Sequence, residues 1–166
     1  RGVRLEQLAK IEGVYVPALY PVVTLPDGRT VPDPAAPKVR KRLVRNLNEA
    51  YFPTRLVVPF TQQIHDRAGM EIMRGCTHGC RFCQAGMISR PVRERELEKI
   101  ESLFEKLVSQ TGYEEVSLVS LSTCDYSRAR ALVFQSAQQA KARRTSVSLP
   151  SLRLDTFSIE LAELTA

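Results

Sequence analysis

The clearest pattern along the chain lies between residues 94 and 109. Leu97, Ile100, Leu103, Phe104, Leu107 and Val108 fall there on one helical stripe opposite Glu and Lys. Glu94, Glu96 and Glu98 near its start complement a helix dipole, and Gly112 supplies a stop. Ahead of this helix, Met70 to Met73 reads as a short strand. Behind it, Glu115 to Leu121 reads as a buried one. A second helix is expected over 127–142, carrying Ala131, Leu132, Phe134, Ala137 and Ala140, then a third strand over Ser146 to Leu149. Ile159 to Leu164 opens a third helix. Strands and helices alternating at these lengths predict parallel strands joined by right-handed crossovers. The fold class is therefore α/β, either a barrel or a doubly wound sheet.

The first 67 residues follow other rules. Residues 2–12 form one short amphipathic helix, with Val3, Leu5, Leu8 and Ile11 apolar and Gly13 ending it. Eight of the ten prolines then fall within residues 14–60, which excludes a central sheet or a long helix there. Short strands around Val22 to Thr24 and Thr30 to Val31, turning at Pro26-Asp27-Gly28, fit a hairpin. The segment KVRKRLVRN (38–46) alternates Val39, Leu43 and Val44 with five cations and reads as a strand with a wet, charge-protected edge rather than a phosphate contact. The expected division is a Pro-rich connector over 1–67 and an α/β domain over 68–166.

Composition changes this picture little. The balance of apolar (43%) and charged (25%) residues is that of a soluble globular protein, with no apolar run able to span a bilayer and no signal peptide. A cytoplasmic location and no membrane partner follow as expectations. The net charge of +6 allows an RNA or ribosomal partner without demanding one. Both ends read as cut, because Arg1 and Ala166 each lie inside a helix-like phrase. The expected architecture is thus the N-terminal part of a TIM-like β/α barrel, since three strands do not close one.

The cysteines change it more. RGCTHGCRFC (74–83) places three of four cysteines, Cys76, Cys80 and Cys83, in one loop leaving the carboxyl end of a strand, where α/β folds collect ligands. Gly75 and Gly79 give the backbone freedom to approach a bulky group, and Arg74 and Arg81 favour thiolates. Three thiolates suit three corners of a cubane iron–sulfur cluster with one iron left open. A structural zinc site would recruit His78 or Cys124 as fourth ligand, but zinc motifs come as two spaced pairs and no second pair exists. A redox pair of Cys80 and Cys83 leaves Cys76 unexplained. His78 reads as solvent-facing, His65 as a hydrogen-bonded linker residue, and Cys124 as a small residue in a tight loop.

CTHGCRFC, including Phe82 before the last cysteine, resembles the cysteine signature of the radical S-adenosylmethionine (radical SAM) enzymes. The wider phrase EIMRGCTHGCRFCQAGMISRPVRER is similar to radical SAM proteins carrying an N-terminal cobalamin-binding-type domain and, more distantly, to the methylthiotransferases. The similarity runs over roughly residues 11–160 and includes Val14-Tyr15-Val16-Pro17 and His65-Asp66-Arg67. The resemblance implies an enzyme in which Cys76, Cys80 and Cys83 bind a [4Fe–4S] cluster whose fourth iron chelates SAM. Reductive cleavage of the sulfonium would then release a deoxyadenosyl radical. It implies adenine at the Phe82 backbone, the methionine end of SAM at Ser122 and Thr123, and its ribose or carboxylate near Ser148 and Arg153. Ser122 and Thr123 stand where the family commonly has Gly-Gly-Glu, and Arg153 could equally form an ion pair with Asp155. No residue is singled out for catalysis.

The same resemblance implies a flavodoxin- or ferredoxin-like reductant, and cobalamin held by a domain outside this chain. The second cluster of the methylthiotransferases lacks its cysteines here. The runner-up reading is a non-catalytic zinc- or iron–sulfur-stabilised module that binds RNA. A half barrel could not enclose SAM, so this stretch alone is expected to be inactive.

Overall fold

A computed structural model describes residues 2–61, 63–153, 155–156, 159 and 162–163, and the chain divides into two compact units, Arg1–Val44 and Arg45–Ala166. In the first unit, helix α1 (Gly2–Ala9) stops short of the expected residue 12, and Gly13 turns the chain with φ +84°. The hairpin forms as its sequence dictates. Strands β1 (Val22–Thr24) and β2 (Thr30–Pro32) pair antiparallel, with Val23 opposite Val31. Asp27 shapes the turn by accepting from the Arg29 amide (3.0 Å) and guanidinium (2.7 Å), and Gly28 adopts the left-handed φ of +84°. Residues 38–46 form no strand, contrary to the alternation of Val39, Leu43 and Val44. Three alternate apolar side chains without a partner strand are too few to make one.

The second unit begins with a short irregular stretch whose Leu47 is buried and whose Phe52 and Leu56 pack on the core. Strand β3 (Ala68–Glu71) follows, and after Ile72 the chain continues as β4 (Met73–Arg74). A loop and one helical turn, α2 (Ala85–Ile88), lead to β5 (Arg93–Glu94), which returns antiparallel to β4. Helix α3 (Leu97–Thr111), strand β6 (Glu115–Val119), helix α4 (Ala129–Arg143) and strand β7 (Ser146–Ser148) complete the described elements. Of the expected third helix over Ile159 to Leu164, residues 159, 162 and 163 are described and helical, and the other three lie outside the described set.

Strands β3, β6 and β7 form one parallel sheet in that order, with Met70 beside Leu118 and Ser117 beside Ser148. The alternation within β6 shows how it is buried. Val116 and Leu118 face Ile100, Phe104, Leu107 and Leu132 in one apolar cluster, and each such side chain contributes about 1.5–3 kcal/mol on burial. The other face of the sheet carries Gly69, Glu71, Glu115, Ser117 and Ser148 by the same period of two.

Helix α3 starts later than its acidic residues suggest. Glu94 belongs to β5 and Glu96 is the extended residue before the first turn, so only Glu98 lies inside it. Glu94 instead accepts from the Ser127 amide (2.8 Å) and its hydroxyl. Gly112 ends the helix as expected, with φ +72° and its amide on the Val108 carbonyl.

Candidate metal and cofactor site

The β4/β5 ribbon is the neck of an excursion that holds all three clustered cysteines. Just above the neck, Gly75 takes φ +96°, and a Cβ there would lie 2.6 Å from the Pro91 carbonyl oxygen and 2.9 Å from that of Ser89. The loop therefore begins pressed against its own return strand. Beneath the neck lies Arg95, 1% exposed, which the sequence reading overlooked. It donates to the Leu47 (2.7 Å) and Glu71 (3.1 Å) carbonyls, and its guanidinium sits 5.6 Å from the Phe52 ring centroid. Burial lowers its pKa from the ordinary arginine value, opposed by the Glu71 charge.

Cys76, Cys80 and Cys83 are free thiols, each partly exposed. The Cys83 amide bonds the Cys80 carbonyl (3.0 Å), a tight turn that fixes the second half of the motif. Gly86 of α2 is buried against the loop, where a Cβ would come within 3.3 Å of the His78 carbonyl oxygen and 3.9 Å of Cys83 Sγ. Gly79 has open space around it. Phe82 points its ring to solvent at 93% exposure.

Of the two cations expected to favour thiolates, Arg74 is engaged elsewhere. Arg74 forms a fork on Glu71 (2.8 and 2.7 Å), which raises its pKa, so it is committed to the sheet. Arg153 reaches the loop instead: one guanidinium nitrogen is 3.5 Å from Cys80 Sγ and another pairs with Asp155. The ion pair with Asp155 weighed for Arg153 is thus present, and among the described residues its Nε is buried without a partner.

His78 is not solvent-facing. Its Nε2 lies 2.6 Å from Asp125 Oδ2, with both side chains partly buried, and this ties the cysteine loop to the loop after β6. The reason is topological: parallel pairing of β3 and β6 brings both carboxyl-end loops to one edge. His65 is exposed, with its carbonyl accepting from the Arg67 amide (2.9 Å).

The Ser120–Asp125 loop ends in a 3-10 turn over Thr123–Asp125. Thr123 is buried, its hydroxyl 2.9 Å from that of Ser120 and its amide on the Ser151 carbonyl (2.9 Å). Ser122 is equally buried, and among the described residues its hydroxyl has no partner. The Ser148 hydroxyl also makes no hydrogen bond of normal geometry, although its proximity is the main cause lowering the Glu115 carboxyl below its ordinary pKa, ahead of Arg67. Cys124 is partly buried, and its thiol pKa is raised by burial first and Asp125 second. A hollow of about 270 Å³ opens at this edge between Glu71, Gly75, Ile88 and Leu121. A larger one of about 460 Å³, around Phe60 and Gly112, lies by the amino end of β6, away from the cysteine loop, with Asp66 and Glu114 in its lining.

Among the described residues no three His, Cys, Asp or Glu side chains converge on a point that one ion could fill. A cubane cluster does not need that, because each thiolate binds a different iron. Three free, partly exposed thiols on one glycine-bearing loop fit such a group, as does the cation at Cys80.

A parallel α/β unit with a cysteine-rich loop at the carboxyl end of its first parallel strand belongs to the α/β class whose ligands collect at strand ends. The model of the radical SAM superfamily matches residues 70–166, more than half the chain, and the protein belongs to that superfamily. An uncharacterized protein of Methanocaldococcus jannaschii is 32% identical over 95 residues, covering 57% of this chain. The chain spans 20% of that relative's length. No helix among the described residues is long and apolar enough to cross a membrane.

Proposed function

We propose that Cys76, Cys80 and Cys83 hold a [4Fe–4S] cluster whose remaining iron takes S-adenosylmethionine, and that the intact protein is a radical SAM enzyme. The observation that carries this reading is the trio of free thiols on one loop at the strand ends, inside the stretch that matches the superfamily. When bound, the cluster supplies the electron for reductive cleavage of the SAM sulfonium. The chain's own part is to hold and orient. The β4/β5 neck fixes where the loop starts, Arg153 balances negative charge at Cys80, and His78 with Asp125 holds the loop to the edge of the sheet.

Ser122, Ser148 and Arg153 each keep a buried polar atom without a normal partner, which supports their role as SAM contacts. Thr123 is better placed to shape the loop, since its hydroxyl already meets Ser120. The choice of a β/α barrel over a doubly wound sheet rests on the resemblance, since parallel sheets of both kinds are covered on both faces. A flavodoxin- or ferredoxin-like reductant, cobalamin and an RNA or ribosomal substrate rest on resemblance and charge alone and concern the intact protein. Zinc in a structural site would need a fourth ligand beside the three cysteines, and among the described residues no such group of His, Cys, Asp or Glu converges.

Anaerobic reconstitution followed by iron and sulfide analysis tests the cluster. Four irons and four sulfides are expected in addition to any other cluster of the intact protein, and they should be lost when the three cysteines become alanine. Bound zinc without a brown chromophore would overturn the reading. Dithionite-dependent release of 5′-deoxyadenosine from SAM tests the chemistry.

A further inference from the structure

The cysteine loop is held from one side by a residue outside the Cys-x3-Cys-x2-Cys spacing. The Arg90 guanidinium lies 3.1 Å from the His78 carbonyl, 3.3 Å from that of Thr77 and 3.4 Å from that of Cys76. The first contact is a good hydrogen bond and the other two are long, but all three carbonyls turn towards one cation. These carbonyls belong to successive peptide groups, and the cis bond found among the described residues, Arg90-Pro91, is not one of them. In a trans peptide the N–H points opposite to its C=O. The amides of Thr77, His78 and Gly79 are therefore directed away from Arg90, and among the described residues none of them donates to a backbone carbonyl. Three adjacent, unused N–H groups between two cysteines are the elements of an anion-binding nest.

We propose that Arg90 is a positioning residue: it gathers the carbonyls of Cys76, Thr77 and His78 so that the following amides face the anionic metal group held by the cysteines. This inference rests on the cluster reading above. Arg90 itself is carried by the return side of the loop. The neighbouring Arg93 donates to the Pro91 (3.0 Å) and Ser89 (2.9 Å) carbonyls and so fixes the segment that bears it. Hydrogen bonds to cluster sulfurs and nearby positive charge raise a reduction potential, so both effects of Arg90 act in the same direction.

The test uses the intact protein, reconstituted anaerobically, as wild type and as Arg90→Ala, Arg90→Gln and Arg90→Lys. Two readouts independent of SAM turnover are measured, namely the midpoint potential by EPR-monitored titration and the rate of iron transfer to a chelator. Arg90→Ala and Arg90→Gln should shift the potential negative and release iron at least tenfold faster, with Arg90→Lys in between. Melting of the metal-free proteins identifies any variant that fails to fold, and Arg90→Lys then carries the comparison. Wild-type potential and release rate in a folded Arg90→Gln or Arg90→Lys protein would overturn the proposal while leaving the cluster intact. Failure of the wild type itself to take up iron and sulfide would overturn the underlying reading as well.

Discussion

Replacing Gly75 by alanine is the sharpest perturbation available. The residue has φ +96°, where an L side chain is strained by about 1–3 kcal/mol. Its new Cβ would meet the Pro91 and Ser89 oxygens at 2.6 and 2.9 Å, and both are backbone atoms with no rotamer to change. Overpacking of this kind costs about 1–3 kcal/mol. The chain cannot swing away cheaply, because Arg74 on one side and Arg93 on the other are paired in the β4/β5 neck. The two effects together give about 2–6 kcal/mol. For a folding unit of this size that lowers the melting temperature of its own transition by at least about 4 °C. Gly79 is the matched control: it has no positive φ, and nothing lies within 4 Å of its Cβ position, so Gly79→Ala should stay within about 0.5 kcal/mol of wild type. Thermal unfolding of the reduced, metal-free intact protein measures both. Equal melting of the two variants, or Gly75→Ala within about 0.5 kcal/mol of wild type, would refute the pinched neck.

Three further outcomes follow from the same geometry. Arg95→Ala should destabilise by at least about 3 kcal/mol in urea titrations, because it strands the buried Leu47 and Glu71 carbonyls and removes the cation over Phe52. Glu115 has a depressed pKa, so its contribution to stability is present above the ordinary glutamate value and is lost as pH falls through the lower, folded one. Glu115→Gln should therefore lower the melting temperature at pH ~7 and narrow its difference from wild type below pH ~4, read by melting across that range. The Cys124 thiol, raised by burial and by Asp125, should alkylate more slowly than free cysteine at pH ~8, and Cys124→Ser should leave reconstituted iron unchanged.

How much of this was legible depended on the reach of each signal. Helix α3 and strand β6 were readable because each buries a continuous stripe, Leu97 to Leu107 and Val116 with Leu118, that its own period reveals. The hairpin was readable because its turn chemistry is local to Asp27 and Gly28. The 38–46 segment misled because alternation describes a strand's faces without supplying the strand beside it. The acidic run before α3 misled for a related reason. Glu94 is fixed by Ser127, 33 residues away, and Glu96 by the approach of Asn48 to its amide at 2.7 Å.

The candidate site divides along the same line. Cys76, Cys80 and Cys83 announce themselves because their spacing lies within eight residues. Their surroundings come from separations of 12 to 73 residues: Arg90 on the loop carbonyls, Asp125 on His78, and Arg153 at Cys80 Sγ. Residue type alone pointed to Arg74 as the cation for the thiolates, yet its nearest acid, Glu71, engages it three residues back. The buried Arg95 could be suspected only from its context, since RERELEKI places a basic residue where the chain must pass under the loop. The cysteine spacing thus names the proposed ligands, while the loop's own return segment and the parallel crossover that brings β6 and β7 beside β3 select the charges around them. Those charges govern how firmly a cluster is held and at what potential it works, so substitutions at Arg90 and Arg153 should alter the cluster while every residue of the motif is intact.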